Sequence, residues 1–129
     1  DTIIGPIAKK RNIKIVDKVE IKDILIIHGH KIPKDIKKYK TIIIGHEHPA
    51  ISLKQGPRVE LYKCYLVGKY KRKNLIVQPS LNLIVEGTDI LKEKILSPFL
   101  KQNLDNFSVF AVEDKIYKLG KIKDLMKFN

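Results

Sequence analysis

Two short runs of mostly β-branched residues, each ending in a pair of histidines, set the tightest limit on what this chain can become. Ile24, Leu25, Ile26 and Ile27 lead into His28, Gly29 and His30, while Thr41, Ile42, Ile43 and Ile44 lead into Gly45, His46, Glu47 and His48. Neither run alternates apolar with polar residues, which predicts strands buried on both faces within an α/β sheet. Residues 33–40 between them are enough for a short helix or a turn. Ligands of open α/β sheets bind beyond the carboxyl ends of the strands, where rigid strands hold converging loops. Two adjacent strands ending in histidine would place their imidazoles side by side there.

All four histidines of the chain fall in these two places. Neutral imidazole ligates zinc, iron, manganese or nickel, and a spacing of two lets both members of a pair point toward one region. A lone histidine at a strand end is ordinarily a surface or satisfied core residue. Two strand-terminal pairs, with no histidine elsewhere, make metal binding the stronger reading. Pro49 is expected to press His48 into extended geometry, and Gly29 and Gly45 to allow close packing or unusual torsions beside the ligands. Hydrolysis at two metals also uses bridging carboxylates, so acidic ligands are expected from elsewhere.

The rest of the chain reads as small elements. Helical spacing over residues 2–11 predicts a short helix starting near Pro6 and closed by Asn12. Alternation of Ile13, Ile15, Val19 and Ile21 predicts a half-buried strand over 13–21, kinked near Asp17 and Lys18. From Ala50 the pattern becomes antiparallel hairpins, with strands near 50–53, 59–69 and 75–78. Turns fall at Gln55, Gly56 and Pro57 and in the basic stretch 71–74. Residues 79–87 read as a loop, Thr88 and Asp89 as caps of a short turn, and Ser97, Pro98 and Phe99 as another loop. A hairpin over 107–112 and 116–119 precedes a basic helix over 121–128, whose docked face would carry Ile122, Leu125 and Met126.

With 129 residues, 43% of them apolar, there is material for one core, and the chain is too apolar for disorder. A single domain spanning 1–129 is expected. No apolar run approaches the roughly 18–20 residues that span a bilayer, and no leader-like segment opens the chain, so no membrane partner and a cytoplasmic location are expected. Cys64 is the only cysteine and reads as a small buried apolar residue. The net charge of +12 favours anionic partners. The run Lys69, Tyr70, Lys71, Arg72, Lys73, with Tyr62 and Tyr65 upstream on the same expected strand, has the make-up of a nucleic-acid footprint and equally of a solvated turn. Lys34, Lys37, Lys38 and Lys40 would draw an anionic substrate toward the histidines or form a solvated loop.

At the histidine motifs the sequence resembles the calcineurin-like metallophosphoesterases, most closely archaeal phosphoesterases related to the SbcD-type DNA-repair nucleases. Gly45, His46, Glu47, His48 corresponds to the family's Gly-His-x-His motif, and His28, Gly29 to its preceding histidine motif. The similarity extends through residues 42–51, 62–68 and 97–99. The family's Asp-x-His, Gly-Asp-x-x-Asp and Gly-Asn-His-Asp/Glu motifs are not present complete, and Asp1 fits the last position of the third. The chain opens on Asp1 and its only methionine is Met126, so it is expected to be a fragment, the C-terminal half of such a domain. The resemblance implies an α/β fold that is β-rich as it stands, half of a β-sandwich flanked by helices. It implies that His28 and His46 bind one metal and His48 a second, with His30 less secure, Asp1 orienting rather than ligating, and Glu47 pointing away from the ligands. It implies two divalent ions, manganese first, with iron, zinc or nickel as alternatives. The reaction would be in-line attack on a phosphate mono- or diester, nucleic acid among the candidate substrates, with a general-acid histidine lying ahead of Asp1. The fragment alone is therefore expected to be inactive. The alternative is a non-enzymatic basic nucleic-acid-binding domain with a structural metal or none.

Overall fold

The computed structural model describes residues 4–128, so Asp1 and the first residues of the stretch 2–11 expected as helix lie outside the described residues. Helix α1 is Ile4–Lys10. Strands β1 (Lys18–Ile21), β2 (Ile24–Ile27) and β3 (Thr41–Ile44) lead into β4 (Pro49–Gln55), β5 (Arg58–Tyr70) and β6 (Lys73–Val77). They are followed by β7 (Thr88–Asp89), β8 (Ser108–Val112), β9 (Ile116–Lys121) and helix α2 (Ile122–Leu125). The strands run in the order β1-β2-β3-β6-β5-β4-β7, with β8 pairing β5 and β9.

β2 and β3 are parallel neighbours, Leu25 opposite Ile42 and Ile26 opposite Ile43, so both histidine pairs emerge at the same end of the sheet. β3 is also parallel to β6, which fixes it on both edges. The expected hairpins form: β4 pairs antiparallel with the first half of β5, and β6 with its second half. The fold is thus a small, sheet-rich α/β arrangement.

The sheet buries one face. Leu25, Ile42, Ile44, Leu66, Leu75 and Val77 are sealed there, each at most 1% exposed. Over this face pack Phe99 and Leu100, from the 3₁₀ turn Pro98–Leu100, together with Phe107 and Ile122. Phe107 seats directly on Gly68, where a Cβ would come within 2.5 Å of its ring atoms. Cys64 joins this core, fully buried.

The other face differs. Register aligns Val19, Ile26, Ile43, Ile76 and Val67 in one cross-strand row. Every member is half-buried or exposed, Val19 at 40% and Ile21 beside it at 52%. The expectation that β2 and β3 are buried on both faces is therefore corrected: these two strands bury one face and leave the other half-buried, whereas β4, with Pro49, Ala50, Ile51 and Ser52 all buried, is enclosed on both.

Three further expectations change. Residues 13–16 are not strand. The Ile13 N–H is taken by the Ala8 carbonyl at 2.7 Å as α1 closes. The β1–β2 pairing ends at Lys18 opposite Ile27, because His28 turns into its loop and leaves no partner further out. Residues 97–99, expected as loop, enter a 3₁₀ turn started by Pro98, whose fixed φ suits a first helical position. The terminal helix is only four residues before passing into a 3₁₀ turn, and although Ile122 is buried, Met126 is 53% exposed rather than docked.

Candidate metal centre

The two histidine loops are built differently. After β2 the chain turns at Gly29, whose φ is +98°. A Cβ there would stand 2.7 Å from the Cβ of Ile44, the last residue of β3, so the loop lies against β3 only because residue 29 lacks a side chain. Gly45 takes no positive φ, and the nearest atom to a Cβ built on it is the His28 carbonyl oxygen at 3.9 Å. Of the two glycines expected to permit close packing, Gly29 alone requires it.

In the second loop the histidines themselves carry the turn. His46 and His48 have φ of +57° and +52°, the left-handed region that costs a non-glycine residue roughly 1–2 kcal/mol. The expectation that Pro49 holds His48 extended is corrected. Only residues 45–48 carry the chain from the end of β3 at Ile44 to β4, which by its pairing runs in the same sense as β3, and the left-handed residues shape that short crossing. The His48 carbonyl is then fixed by the Thr88 N–H at 2.8 Å. Strain of this kind persists only where surrounding structure enforces it, and it clusters at working sites.

These turns bring the imidazoles together. His28 Nε2 and His46 Nδ1 are 2.9 Å apart, one nitrogen protonated and donating to the other. The His28 ring centroid lies 4.7 Å from that of His46 and 5.2 Å from that of His30, with His30 and His46 6.1 Å apart. His48 stands off this ring cluster but close enough for its charge to act on His28. Partial burial first, and then positive charge on His46, His30 and His48, holds His28 below the ordinary histidine range. Its lone pair is accordingly available at lower pH than usual.

Two nitrogens bound about 2.1 Å from one ion at a right angle stand about 3.0 Å apart, so the His28–His46 pair fits two corners of a divalent ion's coordination sphere. The remaining corners have no donors converged on them: among the described residues no three or more His, Cys, Asp or Glu side chains form a metal-holding group. The fit is that of half a site, short of acidic ligands.

Glu47, between the two strained histidines, turns inward and is 1% exposed. Its Oε1 accepts the Leu96 N–H at 2.9 Å and the Ser97 N–H at 2.8 Å, while Oε2 has no hydrogen-bond partner. Ser97, fully buried, donates its Oγ–H to the Gly29 carbonyl at 2.7 Å. Sequence reasoning assigned Ser97 no role, and a serine before a proline carries no local signal for one.

Beside His28 and His30 opens a cleft of about 430 Å³, lined by Val16, Asp17, Lys18, Lys31 and Pro33 among others. Its size suits a small ligand, and its rim brings Lys31 to the histidines together with Lys18, which is itself paired with Glu20 at 3.0 Å. They are not the lysines singled out from sequence. Lys38 is drawn to Glu20 at 3.5 Å, on the far side of β1 from the half-covered row. Asp23 serves the backbone, its carbonyl accepting the N–H of Lys40.

Three residues of the basic hairpin are occupied internally, while Lys71 and Arg72 at its tip are exposed. Tyr70 packs edge-on against buried Phe99, centroids 4.9 Å apart. Lys69 donates to Asn74, and Lys73 donates to the carbonyls of Lys37 and Tyr39. Tyr62 and Tyr65 point to opposite faces of β5, with the Tyr62 hydroxyl donating to Glu60 at 2.6 Å. Comparison with protein-family models, with curated proteins and with solved structures finds no match to this chain.

Proposed function

We propose that this chain is the histidine-bearing C-terminal portion of a dinuclear, metal-dependent phosphoesterase whose acidic ligands come from polypeptide outside these 129 residues. The observation that carries the reading is the 2.9 Å approach of His28 Nε2 to His46 Nδ1 at the ends of two parallel strands. A convergent imidazole pair short of carboxylates is the half-site that a divided ligand set would leave. His28 and His46 would hold one ion, and His48, standing apart on its own strained backbone, the second. His30 borders the cleft and completes the imidazole cluster.

Two divalent ions held there would supply charge stabilisation on phosphoryl oxygens. The chain's own part is to hold those ions and to admit an anionic phosphate ester past Lys31. Imidazole donors alone favour zinc or nickel over manganese; adding carboxylates shifts the site toward manganese, the expected ion of the intact enzyme, with iron as an alternative. The half-covered sheet face, with its row from Val19 to Val67, is the surface a second layer of a β-sandwich would cover. Phosphate esters, including those of nucleic acids, are the substrate class, and a cytoplasmic setting belongs to the same proposal.

A basic nucleic-acid-binding domain is the alternative. It has less geometry behind it, since Lys69, Tyr70 and Lys73 are engaged within the fold. Calorimetric titration with zinc separates the two readings. The proposal expects stoichiometric binding, abolished in His28→Ala and His46→Ala, with no hydrolysis of bis(p-nitrophenyl) phosphate by the chain alone. Absence of zinc binding, alongside strongly salt-dependent binding of single-stranded DNA, would establish the alternative.

A further inference from the structure

The middle residue of each histidine pair is tied to the same distant dipeptide. Gly29, between His28 and His30, gives its carbonyl to the Ser97 hydroxyl at 2.7 Å. Glu47, between His46 and His48, accepts the N–H groups of Leu96 and Ser97 on one carboxylate oxygen. A single residue, 68 positions from one loop and 50 from the other, therefore grips both. The only other hydrogen bond found between these loops, among the described residues, is from the Gly45 N–H to the His28 carbonyl at 2.9 Å, apart from the imidazole contact itself.

We infer that Ser97 and Glu47 form a buried clasp that sets the separation of His28 and His46, making both residues positioning residues for the metal site. The inference rests on the reading that these histidines bind divalent ions. Its logic is geometric. Both loops are short, and the second carries strained torsions at His46 and His48; such backbone relaxes unless something outside the loop holds it. The clasp supplies that restraint from beneath, beside the Thr88 N–H on the His48 carbonyl. It lies beneath the histidines, sealed from water: Ser97 is 0% and Glu47 1% exposed. Its bonds therefore face no competition from solvent, and an acceptor lost there goes unreplaced. Pro98 follows directly and starts the 3₁₀ turn that carries Phe99 into the core, so the clasp is anchored to the most buried part of the fold. The device makes ligand geometry depend on a residue with no contact to the ion, as the outer partners of metal-binding histidines do.

The test compares Ser97→Ala, Ser97→Thr, Glu47→Ala and Glu47→Gln in the 129-residue chain, with zinc as the probe. Ser97→Ala and Glu47→Ala are expected to weaken zinc binding roughly 10- to 100-fold, the usual effect of losing an outer partner. Ser97→Thr keeps the hydroxyl and Glu47→Gln keeps the accepting oxygen, so each is expected to recover most of the affinity. Val109→Ala, in the core away from the loops, serves as the control that lowers stability and leaves affinity unchanged. A second readout needs no metal: in the metal-free chain, ring-to-ring nuclear Overhauser contacts between His28 and His46 should vanish in Ser97→Ala while the backbone spectrum stays folded. If Ser97→Ala lowers only the melting temperature, with zinc affinity and ring contacts intact, the clasp is a packing feature and the inference falls. If the parent chain binds no zinc, the metal reading fails on its own, and the ring contacts alone decide whether the clasp sets the imidazole geometry.

Discussion

Adding one methyl group at Gly29 and one at Gly45 separates two glycines that look equivalent in sequence, each beside a histidine at the end of a strand. At Gly29 the new Cβ would stand 2.7 Å from the Cβ of Ile44 and 3.1 Å from its Cγ2, on a backbone with φ of +98°. Ile44 is fully buried in β3 and cannot swing away. The left-handed backbone costs an alanine about 1–2 kcal/mol and the overpacking about 1–3 kcal/mol more, giving a loss of roughly 2–5 kcal/mol. For 129 residues the entropy of unfolding is about 270 cal/mol/K, so the melting temperature should fall by roughly 7–18 °C. At Gly45 the nearest atom is 3.9 Å away and φ is not positive, so Gly45→Ala should be neutral or stabilise by up to about 1 kcal/mol through the unfolded chain. Thermal and urea unfolding followed by circular dichroism read both. Equal losses at the two positions, or none at Gly29, would refute the close packing of the first histidine loop on β3.

Other consequences follow from the core and the sheet faces. Burial, aided by the charge of Asp89, pushes the Cys64 thiol up to about 12. Native protein near pH 8 should leave Ellman's reagent unreacted while the guanidinium-unfolded chain reacts stoichiometrically; fast native labelling would contradict the burial. Because that shift is upward, the group's contribution is complete below about pH 9 and is lost as pH rises toward 12, where the unfolded thiol ionises first. Phe99→Ala should cost about 3–5 kcal/mol in urea unfolding, since the ring is 0% exposed and seals the covered face; a loss under about 1 kcal/mol would mean that the 3₁₀ turn is not part of the core. Ile116→Lys, on β9 at 58% exposure, should change stability by no more than about 0.5 kcal/mol, and a large loss would show that this side chain is covered after all.

What the sequence disclosed and what it withheld divide along a physical line. Interactions local in sequence were legible. The apolar runs ending at Ile27 and Ile44 marked β2 and β3, Gly56 and Pro57 marked the β4–β5 turn, and the lone Cys64 read correctly as core. Interactions set by partners were not. Residues 13–16 alternate like a strand, yet β2 is too short to pair them. The run Ile24–Ile27 reads as buried on both sides because periodicity reports apolarity, while burial depends on a covering layer that no local pattern encodes. Left-handed torsions at His46 and His48 belong to the four-residue crossing from β3 into β4, and at His48 they go against the ordinary preference of a residue before proline. Ser97 reaches across 68 residues to Gly29, a separation that no spacing rule spans. The candidate ligands His28 and His46 were found because their chemistry and strand-end position coincide, and what holds them in place was found only in three dimensions.

The most direct test of the account is zinc-edge X-ray absorption on the purified 129-residue chain loaded with one equivalent of zinc. The account predicts a first shell containing at least two imidazole nitrogens about 2.0–2.1 Å from the ion, with imidazole scattering lost in the His28→Ala, His46→Ala double variant. A first shell without imidazole, or one unchanged in that double variant, would contradict it.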